Sequence, residues 1–273
     1  MMKLLSKYVE FKNGKKRPTS KGTIPVYGGN GILDYTNTAN MQSGVVIGRV
    51  GVYCGSVFLV REKCWVSDNA IKAMCKENMD LGYLYYLLSS LHLNERRIGT
   101  SQPLLTQSIL NNIEVEIPEL AIQKKISSIL ELLDEKIKLN NEINNNLEQQ
   151  AQAIFKSWFI DLEPFSNRKP SDWSVSTLGN VSIMGAGGDK PQNVSPIKTD
   201  LYKYPIYSNG LSNEGLYGFT DKPKISEESV TVSARGTIGF VCLRHIPYVP
   251  IVRLITLTPK TEIISAKNTS ICG

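Results

Sequence analysis

The sequence predicts an α+β protein: two β-rich modules joined by one long coiled-coil helix, with the second module incomplete. Three observations predict it. The middle of the chain holds a long heptad-patterned stretch without Gly or Pro. The segments on either side of that stretch resemble each other. The chain is 273 residues long, about the length at which one core splits into two. The expected boundaries are 1–118 for the first module, 119–163 for the helix and 164–273 for the second module.

The first module opens with short strands broken by Gly, Asn and Pro turns: Val9 to Pro18, Ile24 to Gly31, Gly44 to Tyr53 and Ser56 to Arg61. A helix follows from Asp80 to Leu93, opened by an acidic cap and carrying the run YLYYLL. Next come the loop ERRIGTSQP (Glu95 to Pro103), a short helix capped at Thr106, and a strand from Ile113 to Pro118. The long helix then runs from Pro118, whose fixed φ suits a first helical position, to Leu162, just before Pro164. At 1.5 Å per residue it is a rod of about 60 Å. Leu130, Ile137, Asn144, Ala151 and Trp158 fall at one core position of the heptad, and Ile126, Leu133, Asn140, Leu147 and Ile154 at the other. Such a stripe needs a second helix over it. Asn140 and Asn144 interrupt it midway, where buried amides cost stability and fix register.

The second module repeats the first with changed loop lengths. VEFKNGKKRP (Val9 to Pro18) matches VSIMGAGGDKP (Val181 to Pro191), IPVYGGNG matches YPIYSNG, and VVIGRVG matches VTVSARGTIG. This pairs Asn30 with Asn209 and Arg49 with Arg235. The last residues, PKTEIISAKNTSICG, reach only the level of Lys76 to Ser90, so counterparts of the YLYYLL helix and the long helix are expected to be missing.

Composition narrows the function. The longest apolar run is six residues, Tyr83 to Leu88, too short to span a membrane, and the N-terminus has no signal-like apolar core. A cytoplasmic protein is expected. Five scattered cysteines make neither a disulfide framework nor a zinc knuckle, and two histidines far apart leave little for a metal site or a Ser-His-Asp triad. Motifs for nucleotide binding, metalloprotease chemistry or DNA amino-methylation are absent from the sequence, so no catalytic, metal or cofactor residues are expected. The net charge of +6 sits mainly in residues 1–118, which carry +5. That excess suits a phosphate-facing surface or simple solubility equally.

The run from Gly99 to Phe165, GTSQPLLTQSILNNIEVEIPELAIQKKISSILELLDEKIKLNNEINNNLEQQAQAIFKSWFIDLEPF, resembles a characteristic region of the specificity subunits of type I restriction-modification systems. The reappearing WSVSTLGNV (Trp173 to Val181) fits the same order. The resemblance implies two target-recognition domains, each reading half of a bipartite site in double-stranded DNA, and helices that dock methyltransferase subunits and, through them, the restriction subunit. It implies a non-catalytic chain. With no second helix in the sequence, self-association or pairing with a second half-subunit is expected to cover the stripe. The alternative is a truncated, non-reading assembly partner or remnant that binds through the coiled coil alone.

DNA recognition needs cations for phosphates and forked polar groups for base edges. The candidates are Lys15, Lys16 and Arg17 in one turn, Arg49 beside two glycines, Arg96 and Arg97 flanking the Gly99–Pro103 loop, Asn30, Asn209 and Arg235. The basic triplet is open to both phosphate contact and plain solvation. Bracing of a loop competes at the two arginines Arg49 and Arg235, and turn geometry competes at the two asparagines.

Overall fold

The structure, a computed structural model, describes residues 2–99 and 103–260. It divides into two compact units, Met1–Ile143 and Asn144–Gly273, with the division inside the long helix.

In the first unit, β2 (Val9–Asn13), β5 (Gly44–Gly48), β6 (Val57–Val60) and β8 (Ala70–Cys75) form an antiparallel sheet of order β2-β8-β5-β6. Strands β3 (Ile24–Gly28), β4 (Gly31–Thr36) and β7 (Trp65–Val66) form a second sheet, β4-β3-β7, in which β3 and β7 run parallel. A small pair, β1 (Lys3–Leu4) with β9 (Glu114–Val115), brings the start of the chain beside the approach to the long helix. The central strand β5 is apolar throughout and buried on both faces, as its Val45-Val46-Ile47 run requires. One face is covered by α1 (Leu81–Ser90) and α2 (Gln107–Asn111), which bring Leu84, Leu88 and Leu110 onto Phe11, Val45, Ile47 and Ile71. The other face packs on the three-stranded sheet through Val46, Val60, Val66 and Ala70. Asp80 caps α1 by accepting from the Tyr83 amide at 2.9 Å, and Thr106 caps α2 from the Ile109 amide at 3.2 Å.

The expected strand from Ile113 to Pro118 contracts to Glu114–Val115, because only the short β1 lies beside it. The expected helix to Leu93 ends at Ser90, with His92 left-handed and a single tight turn at Leu93–Glu95.

The second unit repeats both sheets. Strands β10 (Ser182–Ala186), β13 (Ser229–Val232), β14 (Val241–Arg244) and β16 (Ile255–Pro259) take the order β10-β16-β13-β14, and β11 (Tyr204–Tyr207), β12 (Leu216–Thr220) and β15 (Val249–Pro250) the order β12-β11-β15. Even the register shifts coincide, after Val26 in β3 and after Ile206 in β11. A short helix, α4 (Leu178–Val181), leads into β10. The units differ in what covers the four-stranded sheet. Among the described residues nothing equivalent to α1 lies over it: Val232, Val241, Leu243 and Ile255 are half-buried and Met184 is 53% exposed.

The long helix α3 spans Leu120–Phe155 and loosens into a wide π-type turn at Lys156–Ile160, a few residues short of the expected end. Phe155, Phe159, Phe165 and Trp173 cluster there by ring contacts. The described residues contain no helix long and apolar enough to cross a membrane.

Candidate nucleic-acid interface

Strand direction decides which loops meet. In the first unit β2, β3, β5 and β7 all end, and β4, β6 and β8 all begin, at one edge. The segment leaving β2 stays there: the Gly14 amide donates to the Ala70 carbonyl and the Lys15 amide to the Val66 carbonyl, at 2.9 and 3.0 Å. A side chain at Gly14 would begin 1.9 Å from the Ser67 carbonyl oxygen, so only glycine lets Lys15, Lys16 and Arg17 run against the end of β7. Trp65 Nε1 donates to the Lys15 carbonyl at 3.3 Å. All three cations are exposed.

Arg49 leaves β5 at the same edge. Its backbone is fastened on both sides: its amide donates to the Asn69 carbonyl and its carbonyl accepts from the Leu105 amide, each at 2.9 Å. Its guanidinium is held only weakly, with Nη1 3.5 Å from the Asp68 carbonyl and a buried Nε that has no partner. Asn30 stands exposed in the β3–β4 turn, whose Gly29 carbonyl accepts from the Ser56 hydroxyl. Arg96 and Arg97 are brought in by an arm: Ile98 bridges Leu104, Leu104 bridges Val50, and the Gly51 amide donates to the Pro103 carbonyl at 3.0 Å. Arg96 Nε itself donates to the Leu91 carbonyl at 3.1 Å. Thr100, Ser101 and Gln102 lie outside the described residues. One edge thus gathers every candidate of the first module. Further back on the sheet, burial lowers the Lys72 pKa, and the like charges of Lys15 and Lys12 lower it further.

The second unit builds the same edge with different residues. Gly187 takes the place of Gly14, and a side chain there would begin 2.8 Å from the Ile251 backbone. Gly188 bridges Ile251 as Lys15 bridges Ser67. Lys15, Lys16 and Arg17 are therefore replaced by Gly188, Asp189 and Lys190. The strand register also corrects two pairings. Val45 and Val230 both sit opposite the core position shared by Ala73 and Leu257, which makes Arg49 equivalent to Ala234, and Arg235 to Val50. Tyr27 and Tyr207 share the second position of the parallel bridge, which makes Asn209 equivalent to Gly29 rather than Asn30. The physical reason is that equal loop lengths are not needed to keep equal strand register. Arg253, missed by sequence reasoning, stands where the first unit has Asn69; aligning Ala70 with Leu254 would have found it.

The helix stripe is the second feature. Gln123, 1% exposed, and the buried Ser127 face the first unit, together with Glu131 and Asp134. Arg61 pairs with Glu131 at 2.6 Å and the Tyr86 hydroxyl donates to Asp134 at 2.7 Å. A side chain at Gly82 would begin 2.9 Å from Ser127 Cβ, so the helices α1 and α3 touch closely there. The stripe residues point elsewhere. Leu130 is half-buried, whereas Ile126, Leu133, Ile137, Asn140, Asn144, Leu147, Ala151, Ile154 and Trp158 are all exposed.

Among the described residues no cluster of His, Cys, Asp and Glu could hold a metal ion. Cys54, Cys64 and Cys242 are buried free thiols, with Cys64 pushed up to about 11 by burial; Cys272 lies outside the described residues.

Comparison with known proteins agrees with this architecture. Residues 7–149 and 170–271 match the profile of the type I restriction modification DNA specificity domain. A Mycoplasma pneumoniae protein named as a type I specificity subunit is 30% identical over 250 residues, covering 89% of this chain and 68% of that protein. The MjaIX type I restriction enzyme specificity subunit of Methanocaldococcus jannaschii is 33% identical over 132 residues, covering 43% of this chain and 31% of that one. The chain spans only about two thirds of the length of its most fully covered relatives. The crystal structure of an S subunit from M. genitalium has the same fold, with a TM-score of 0.64 at 19% identity over 95% of this chain and 72% of that one. With its duplicated sheet pair and connecting helix matched on both sides, the chain belongs to the family of DNA specificity subunits of type I restriction-modification systems.

Proposed function

We propose that each unit contacts duplex DNA through its loop-bearing edge, and that α3 carries the assembly with methyltransferase subunits and, through them, the restriction subunit. The observation that carries this reading is that one edge scaffold is built twice, with a cation shared at one position, Arg17 and Lys190, and the others placed differently. The first unit places them at Lys15, Lys16, Arg17 and Arg49; the second places them at Lys190, Arg235 and Arg253. A common scaffold with different side chains suits two halves of a target with different sequences, because phosphate contacts set position while side-chain identity specifies bases. The chain acts by binding and lends its specificity to catalytic partners. A non-reading assembly role would rest on α3 alone.

Binding of labelled random-sequence duplexes, with and without the methyltransferase, tests this. Arg49→Ala is expected to weaken binding and to lower the slope of log K against log salt by about 0.9, the release expected for one phosphate contact. Its fold is kept because both bonds that fasten residue 49 are backbone bonds. An unchanged slope assigns Arg49 to bracing the loop, and a wild-type chain that binds methyltransferase but no DNA favours the assembly role.

A further inference from the structure

We propose that Arg235 and Arg253 form the DNA-gripping pair of the second unit, and that Asn209 is the positioning residue that holds their two loops together. The inference deepens the DNA-binding reading above and rests on it.

Asn209 does not face outward as a base-reading amide would. Its Oδ1 accepts from the Ala234 amide at 2.7 Å and from the Arg235 amide at 3.4 Å. Its Nδ2 donates to the Val252 carbonyl at 2.8 Å. Both ends of one side chain are consumed in joining the loop after β13 to the loop before β16. Each of those loops carries one exposed arginine, and among the described residues neither guanidinium makes an ion pair. Lys190 and Lys224 lie on the same edge, where Lys224 Nζ is 3.7 Å from the point at which a side chain on Gly188 would begin; Asp189 is the acid among them.

The backbone under Arg253 is costly. Val252 and Arg253 are consecutive left-handed residues, at φ +52° and +59°, and a β-branched residue rarely adopts that region. The amides of both are held, Val252 to the Gly188 carbonyl and Arg253 to the Gly187 carbonyl, each at 2.9 Å. Glycine would remove the strain, yet valine and arginine stand there. Strain of this kind concentrates at functional sites, and here it lies under an exposed cation. A guanidinium there offers paired donors to phosphate oxygens or to the acceptor edge of guanine, chemistry that the two arms of the test separate.

The test uses the full chain, a random-sequence 40-base-pair duplex pool, and the sequences selected by the chain from that pool. Arg253→Gly is expected to leave the melting temperature unchanged or raised while binding weakens. If the contact is phosphate, the salt slope falls by about 0.9 and random and selected DNA weaken alike; if it is a base edge, selected DNA weakens more. Asn209→Ala keeps every charge but should weaken binding about fivefold, and should cost nothing further in a chain already carrying Arg235→Ala and Arg253→Ala. Wild-type affinity in Arg253→Gly and Arg235→Ala overturns the gripping pair. An Asn209→Ala cost that persists undiminished in the double-arginine background overturns the positioning role, and the arginine variants answer independently if Asn209→Ala fails to fold. A wild-type chain that binds neither pool overturns the underlying reading instead.

Discussion

Replacing Leu133 and Leu147 together with aspartate is expected to lower self-association of the chain, or its binding to methyltransferase, by at least about 100-fold. The two side chains are 53% and 57% exposed in the single chain, so they contribute little to its own folding. In a paired helix each would be buried, at roughly 1.5 to 3 kcal/mol per leucine, and each aspartate would add the cost of burying an unpaired charge. Because about half of each side chain is already covered, the leucines alone contribute about 1.6 to 3.3 kcal/mol, and the two buried charges carry the total past the roughly 2.7 kcal/mol that separates a 100-fold change. Neither position belongs to the face made by Gln123, Ser127, Glu131 and Asp134, so helix content and melting of the first unit should not change. Sedimentation velocity of the chain and co-purification with methyltransferase measure the effect. An unchanged sedimentation profile with intact co-purification would show that the stripe is not an interface.

Gln123→Ala should produce the largest loss of stability in the first unit for a substitution outside its apolar core, about 2 to 4 kcal/mol. The Gln123 amide is buried and fully used. Its Oε1 accepts from the Asp80 amide at 2.9 Å, and its Nε2 donates to the Asn78 and Pro118 carbonyls at 3.0 and 2.9 Å. Three backbone groups lose their partner together, each bonded to a side chain that is itself buried. Asp80 is also the residue that caps α1, so the damage should spread to that helix. Hydrogen exchange should show the first-turn amides of α1 opening faster, and thermal melting should shift downward for this unit. Ser128→Ala, one residue from the buried Ser127 but exposed, is the control and should be nearly silent. Equal melting of both variants would mean that α3 is fixed to the unit by apolar packing rather than by this amide.

Much of the architecture was legible before the fold was known. The Gly- and Pro-free heptads from Ile126 to Trp158 marked the long helix and its stripe, and the stripe is exposed as an unpaired seam should be. The repeat of KNGKKRP as AGGDKP located the same exit from β2 and β10, because a glycine is required there by the backbone of the neighbouring strand. Less legible was which positions of the repeat correspond. Matching Arg49 to Arg235 and Asn30 to Asn209 follows residue type, whereas the strand register shifts both by one. Arg253 escaped notice because an arginine in a loop has no periodicity to betray it. Gln123 escaped for a related reason: apolar periodicity finds faces of leucine and isoleucine, and says nothing of a glutamine whose burial depends on three distant carbonyl and amide groups.

The sequence by itself determined the two β modules, the helix between them and the apolar stripe, since these follow from local spacing, Gly and Pro placement, and side-chain type. Only the tertiary structure decided which loops share an edge, which face of α3 is anchored and which is free, and that the Asn209 side chain bonds to both the Ala234 and the Val252 loops. These depend on strand direction and register, which join residues as far apart as Lys3 and Val115, and no local pattern in the chain encodes them.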